Sequence, residues 1–234
     1  MTNNKLQAPF SYFGGKSRVA DIVWERFGSD VKNYIEPFCG SMAVLLSRNN
    51  PVTYETVNDI DGLLTNFWRA IKFNPEGVAN LAEVPPSELD MTARHNWVYD
   101  RKDRIIKMQE DPEWYDVKAA AYWVYSHSSM TGARGIFDEE IGTRVPKLGR
   151  PQGIHAAGRR GNLVEIFSHI SKRLRKVNIC YGDWKSVVTE YSLKQAAIPT
   201  AVFLDPPYQE GEFDEDVYEH SSGGGCSPKL ENGA

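Results

Sequence analysis

A doubly wound α/β fold is predicted from three observations: short apolar runs bounded by turn residues, amphipathic helical stretches between them, and a strand, helix, strand, helix order along the 234-residue chain. The first helix is expected to run to Phe27, after the loop Phe13-Gly14-Gly15-Lys16. Tyr34-Ile35 reads as a buried strand entering the loop Glu36-Pro37-Phe38-Cys39-Gly40, and residues 41–48 have helical composition. Residues 53–57 give a second strand that ends at Asn58-Asp59. The helix after it carries Leu63, Leu64, Phe67, Trp68 and Ile71 on one face, and Asn74-Pro75 stops it because a residue before proline avoids the helical region. Val177–Tyr181 and residues 201–204 are apolar runs bounded by Gly182-Asp183 and Asp205-Pro206, as interior strands of a parallel sheet are.

Between residues 74 and 162 this rhythm breaks. Helical segments are expected around 91–110 and 112–126, and the glycines at 132, 135, 142, 149, 153, 158 and 161 make 131–161 a loop or hairpin. The expected organisation is therefore a sheet domain of residues 1–74 and 163–220, an insert of residues 75–162, and a disordered Gly-rich tail of residues 221–234.

Composition bounds the function classes. Hydrophobic residues make up 41% and charged residues 25%, and no apolar run reaches the roughly 18 residues that suggest a membrane span. The first nine residues hold one lysine and no apolar stretch, so no secretion signal is expected and the protein belongs in the cytoplasm. Cys39, Cys180 and Cys226 stand alone, and none of the five histidines has ligand spacing, which argues against a disulfide framework and against a metal site. The net charge of −4 averages two opposite fields. Residues 141–176 hold nine basic side chains (Arg144, Lys147, Arg150, Arg159, Arg160, Lys172, Arg173, Arg175, Lys176) against the single acid Glu165, and such a stretch suits phosphates. Residues 205–219 hold seven acids and no Lys or Arg.

The sharpest chemical signal is Asp205-Pro206-Pro207-Tyr208, delivered to the carboxyl end of an apolar strand, where open α/β sheets bind their ligands. An amine on an aromatic base is a poor nucleophile because its lone pair is delocalised into the ring. Asp205 and the Pro206 carbonyl supply two acceptors that can hold its N–H groups, proline rigidity aims the carbonyl, and Tyr208 can stack on a base turned out of a duplex. A second signal lies in Glu36, Pro37, Phe38, Gly40 and Ser41, followed by Asp59 and Ile60. A glycine where strand meets helix lets a cofactor approach the backbone, and an acid ending the next strand can accept both ribose hydroxyls. The lack of G-x-G-x-x-G disfavours a dinucleotide. Tyr12, Gly14, Gly15 and Lys16 place a loop and a cation where a carboxylate can be held, and Gly182-Asp183 is a third strand end, suited to an exocyclic amine or to an ordinary turn.

In this order the motifs resemble those of the Dam-like, D12-class DNA adenine-N6 methyltransferases of bacteria and phages, from about Pro9 to Tyr208. Residues 9–16 look like that family's N-terminal cofactor motif, 34–41 like its glycine loop, 57–61 like its ribose motif, and 119–137 like the helix and loop opening its target-recognition region. Asp205 to Tyr208 matches the catalytic tetrapeptide. The resemblance implies S-adenosylmethionine as cofactor, a flipped adenine in double-stranded DNA as substrate, no metal, and an insert in which Arg134, Arg144, Lys147, Arg150, Arg159 and Arg160 contact DNA. It departs from the pattern at Ser41-Met42, where the family often has further glycines. It also implies about three strands beyond the catalytic one, whereas 26 residues follow Tyr208, so the C-terminal strands are expected to be missing, and two readings stand: a truncated or fragmentary enzyme, or a chain whose sheet a partner completes. Two rivals stay open: a cytosine-N4 or RNA methyltransferase, and a catalytically weak or inactive DNA-binding remnant.

Overall fold

A computed structural model describes residues 6–10, 12, 15–48, 50–129, 153–160, 162–194 and 198–206. The chain runs through α1 (Ala20–Phe27), β1 (Asn33–Glu36), α2 (Ala43–Ser47), β2 (Tyr54–Asp59), α3 (Gly62–Phe73), α4 (Pro75–Ala82), α5 (Glu88–Tyr99), a 3₁₀ turn (Lys102–Ile106), α6 (Lys107–Glu110), α7 (Val117–Ser129), α8 (Gly153–Arg160), α9 (Leu163–Leu174), β3 (Val177–Tyr181), a 3₁₀ turn (Trp184–Ser186), α10 (Glu190–Lys194) and β4 (Thr200–Val202). The four described strands form one parallel sheet in the order β3-β2-β1-β4. Asn33 pairs with Tyr54 on one side and with Thr200 on the other, and Glu55 pairs with Val177. The α/β fold with a parallel sheet is the one predicted.

Strand β1 is buried along its whole length, as a central strand of a parallel sheet must be. Helix α1 covers it from one side, with Trp24 tilted over Tyr34 at 4.7 Å between ring centroids. Helix α3 packs against α7 and α9, and α4 and α5 add to the same layer. Phe67, Trp68, Trp123, Tyr125 and Phe167 are fully buried in one continuous apolar cluster. Each aromatic side chain of this size withdraws about 150–250 Å² from water, so the cluster dominates the energetics of the layer.

Local signals explain where the elements begin. Asp61 caps α3 by accepting hydrogen bonds from the Leu63 and Leu64 amides. Asn74-Pro75 ends α3 as expected, and the same pair starts α4: Asn74 Oδ1 accepts from the Gly77 amide and Pro75 occupies the first turn. Two features differ from the sequence expectation. Residues 153–160, inside the Gly-rich stretch, form helix α8, held to α7 by the Ile154 amide on Ser128 Oγ and by His155 Nε2 at 2.8 Å from Ser129 Oγ. Arg173, grouped by sequence with the phosphate-binding cations, is buried in α9, where its guanidinium is bidentate to Glu55 at 2.6 and 2.7 Å and also reaches the Leu45 carbonyl. A charge so placed is a structural tie between α9, β2 and α2.

Candidate functional site

The strand order reverses beside β1: β2 and β3 follow on one side and β4 returns on the other. The carboxyl ends of the strands flanking such a reversal form a crevice. Glu36, Asp59 and Asp205 come from the ends of β1, β2 and β4, and Gly182-Asp183 from the end of β3.

On the β2–β3 side the loops are tied to one another. The Gly40 amide donates to Asp59 Oδ2 at 2.9 Å, and the Asp61 amide to Asp59 Oδ1 at 3.0 Å. Asn58 Nδ2 donates to the carbonyls of Pro37 and Gly182 at 3.1 and 2.8 Å, so one buried side chain spans the ends of three strands. Trp68 Nε1 donates to the Gly40 carbonyl at 2.9 Å. Gly40 adopts φ +45°, and a Cβ there would lie 2.8 Å from Tyr12 Cδ1. The turn therefore requires glycine both for its backbone and for the ring above it. Met42 follows with φ 51°, and Ser41 is buried. Phe38 meets Trp184 at 6.1 Å between ring centroids, while Ile60 is exposed beside Asp59. Gly182, at φ +131°, faces open space. Asp183 Oδ1 caps the turn after it by accepting from the Lys185 amide.

On the other side Asp205 lies two residues beyond the last sheet bond, in which the Phe203 amide donates to the Ile35 carbonyl. Its Oδ2 is 2.6 Å from Lys16 Nζ, with both side chains about a third exposed. Gly15 closes the N-terminal loop through its amide on the Tyr12 carbonyl. Beneath the crevice Glu36 is buried, accepts from the Tyr34 hydroxyl at 2.9 Å, and has its carboxyl pushed up to about 8 by burial, with the charges of Asp205 and Asp59 adding to the shift. Burial likewise raises the Cys39 thiol, which makes it a packing group rather than a nucleophile.

The structure thus brings together Tyr12, Gly15, Lys16, Glu36, Pro37, Phe38, Gly40, Ser41, Asp59, Ile60, Gly182, Asp183, Asp205 and Pro206 around one crevice. Gly14, Pro207, Tyr208, Arg134, Arg144, Lys147 and Arg150 lie outside the described residues, and Arg159 and Arg160 are described only as backbone of α8. Sequence reasoning passed over Asn58 and Trp184, which the structure sets among these strand ends. An amide between an apolar strand and an acid, and an aromatic directly after Gly-Asp, were the available signals for the two. Among the described residues no group of three His, Cys, Asp or Glu is arranged to hold a metal, and no helix is long and apolar enough to cross a membrane.

A parallel sheet that reverses beside β1, with acids at the ends of the flanking strands, is the layout of a Rossmann-like methyltransferase. Residues 12–222 match the D12 class N6 adenine-specific DNA methyltransferases, and the chain belongs to that family. It is similar to the Type II methyltransferase M.MjaIII of Methanocaldococcus jannaschii, with 24% identity over 219 residues that take in 86% of this chain and 69% of the relative. Its reaction is methyl transfer to adenine N6 in DNA, which decides against the cytosine-N4 reading.

Proposed function

We propose that the methyl donor is S-adenosylmethionine and that it binds along the β1–β3 strand ends, with the target adenine turned out of the duplex toward Asp205. The observation that carries this reading is the locked Gly40–Asp59 turn beside Asp205 on a single crevice. The donor would supply a sulfonium methyl, and everything else falls to the chain.

The fit to the donor rests on the shape and satisfaction of the turn. Gly40 lets the Tyr12 ring lie directly on the turn, where a Cβ would collide with it. Asp59 accepts the Gly40 and Asp61 amides, one on each oxygen, which fixes its carboxylate at the strand end where two ribose hydroxyls would be received. The buried Asn58 Oδ1 has no hydrogen-bond partner among the described residues. Phe38, Ile60 and Trp184 offer apolar faces for a purine, and Gly182-Asp183 a place for its amine. Glu36, protonated at neutral pH, would carry the turn from below together with Pro37 and Ser41. Lys16, paired with Asp205, would place its cation near the methionine carboxylate beside Tyr12, Gly14 and Gly15.

On the acceptor side Asp205 and the Pro206 carbonyl would accept hydrogen bonds from the two N6–H groups and draw the lone pair out of conjugation, and the N6 proton lost after methyl transfer would leave by way of the Asp205 carboxylate. Tyr208 would stack on the flipped ring, Pro207 would fix the loop, and Arg134, Arg144, Lys147, Arg150, Arg159 and Arg160 within the target-reading region 75–162 would contact phosphates and base edges. Two measurements test this. S-adenosylmethionine carrying an isotopic methyl should pass that label to N6-methyladenine in duplex DNA, and 2-aminopurine at the mapped target position should brighten on binding. Failure of transfer from this donor, or a silent fluorophore in a complex that still methylates the unmodified site, would overturn the respective half of the reading.

A further inference from the structure

We infer that His127 is a positioning residue for methyl-donor binding, acting through Tyr12 on the Gly40 turn; the inference rests on the donor pocket proposed above. His127 lies in the last turn of α7, a helix that belongs to the aromatic layer rather than to the strand ends. Its ring is nonetheless stacked with Trp123, one helical turn earlier, at 5.0 Å and 18°, and with Tyr12 at 5.8 Å and 17°. Phe10 meets the imidazole edge-on at 5.2 Å.

The two ends of this stack differ in how they are fixed. Trp123 and Phe10 are buried, and Phe10 also meets the rings of Phe67, Trp68 and Trp123, so this end is held by the core. Tyr12 is half-buried on a stretch whose described residues form neither helix nor strand, and its ring is met edge-on by Phe10 at 6.3 Å as well as by the stacked His127. That ring lies directly on Gly40, at 2.8 to 3.0 Å from where a Cβ would stand. Gly40 in turn donates to Asp59 and accepts from Trp68. Contact is therefore continuous from Trp123 through His127 and Tyr12 to Gly40 and Asp59. A flat ring at 127 is what the arrangement needs, because only a planar group presents two parallel faces. If the imidazole is removed, Tyr12 loses its stacked face and keeps its edge contact with Phe10 at 6.3 Å, so the cover on the turn loosens, while the Asp205 end of the crevice keeps its own contact with Lys16.

The test is calorimetric titration of S-adenosylmethionine, without DNA, into wild type, His127→Ala, His127→Phe and Tyr125→Phe, with the melting temperature of each. Tyr125→Phe is the control for general loosening of α7: it removes the hydroxyl that accepts from the Ser87 amide and donates to the Pro85 carbonyl, bonds remote from Tyr12 in the contact chain. His127→Ala is expected to weaken donor binding roughly three- to tenfold, the worth of an aromatic pair, with kcat at saturating donor unchanged. His127→Phe should restore binding to within about twofold, since the ring faces are kept. Tyr125→Phe should lower the melting temperature and leave donor affinity alone. If His127→Ala does not fold, His127→Leu, which fills the space without a π face, takes its place with the same expectation. The inference is overturned if wild type binds the donor and His127→Ala binds it equally well, if His127→Phe is as weak as His127→Ala, or if Tyr125→Phe weakens binding by the same factor. A wild type that does not bind the donor sinks the pocket itself, which separates the two failures.

Discussion

The strand ends on the two sides of β1 are built differently. Toward β2 and β3 the loops hold each other: Asn58 bridges Pro37 and Gly182, Asp59 fixes the Gly40 amide, Trp68 holds the Gly40 carbonyl, and Tyr12 covers the turn. Toward β4 the last described sheet bond is that of Phe203, Leu204 is exposed, and Asp205 is met by Lys16 in a pair about a third exposed. The difference teaches where preorganisation is placed. Among the described residues, the side proposed for the donor is cross-tied by hydrogen bonds, whereas the carboxylate proposed for the base is met by the Lys16 ion pair. A cofactor common to every turnover suits a fixed pocket; a base that must leave a duplex suits an accessible acceptor.

The largest expected effect separates the two sides. Asp205→Ala should lower methyl transfer by about 10³-fold, the scale on which a preorganised electrostatic partner is lost, while donor affinity in calorimetry stays within about twofold. A variant that still methylates adenine at a comparable rate would remove Asp205 from the chemistry.

Gly40→Ala strikes the opposite side. The added Cβ meets the Tyr12 ring at 2.8 Å and must adopt φ +45°, so a loss of roughly 1–3 kcal/mol in stability is expected, together with a raised KM for the donor and a smaller change in kcat at saturation. Equal effects on donor KM and DNA KM would mean that the two sides are not independent.

The same contrast decides what could be read in the sequence. The parallel sheet was legible because its strands are runs such as Val177–Tyr181, closed by Gly-Asp or Asp-Pro, and because glycine and proline mark strand ends for stereochemical reasons. The site was legible in its local parts: Gly40, Asp59 and Asp205 each stand at a strand end in the sequence itself. What escaped was set by distant pairing. Arg173 looked like one of nine cations, and its partner Glu55 is 118 residues away; the warning was its place beside Ile170 and Leu174 on the buried face of α9. Helix α8 was hidden because glycines at 153 and 158 lower helix propensity, and its tether to α7 is tertiary. His127 stands on α7 with no local feature to suggest that its ring stacks on Tyr12.

Glu36 lies under both sides and offers a pH test. Burial pushes its folded carboxyl up to about 8 from an ordinary 4.5, so the folded state keeps a proton that the unfolded chain has released. The stability this contributes is complete below about 4.5 and is lost as pH rises toward 8, with a slope of at most about 1.4 kcal/mol per pH unit. Glu36→Gln should flatten that part of the curve, because the amide stays neutral. Denaturation midpoints of the two proteins that run parallel between pH 5 and 8 would show that Glu36 is not the buried acid described here.

The smallest expected change in stability tests the looser side directly. Lys16 and Asp205 are 28% and 34% exposed, and an ion pair so open to water contributes only about 0–1 kcal/mol. Lys16→Met should therefore move the melting temperature by no more than a few degrees, and raising the salt should shrink even that difference. Its effect should appear in function instead: the donor carboxylate loses a proposed partner and Asp205 loses the cation that orients it, so KM for the donor and kcat should both worsen. A loss of several kcal/mol on Lys16→Met would show that the β4 end is as firmly built as the β2–β3 end. The contrast between a fixed donor pocket and an open acceptor would then fail at its most exposed contact.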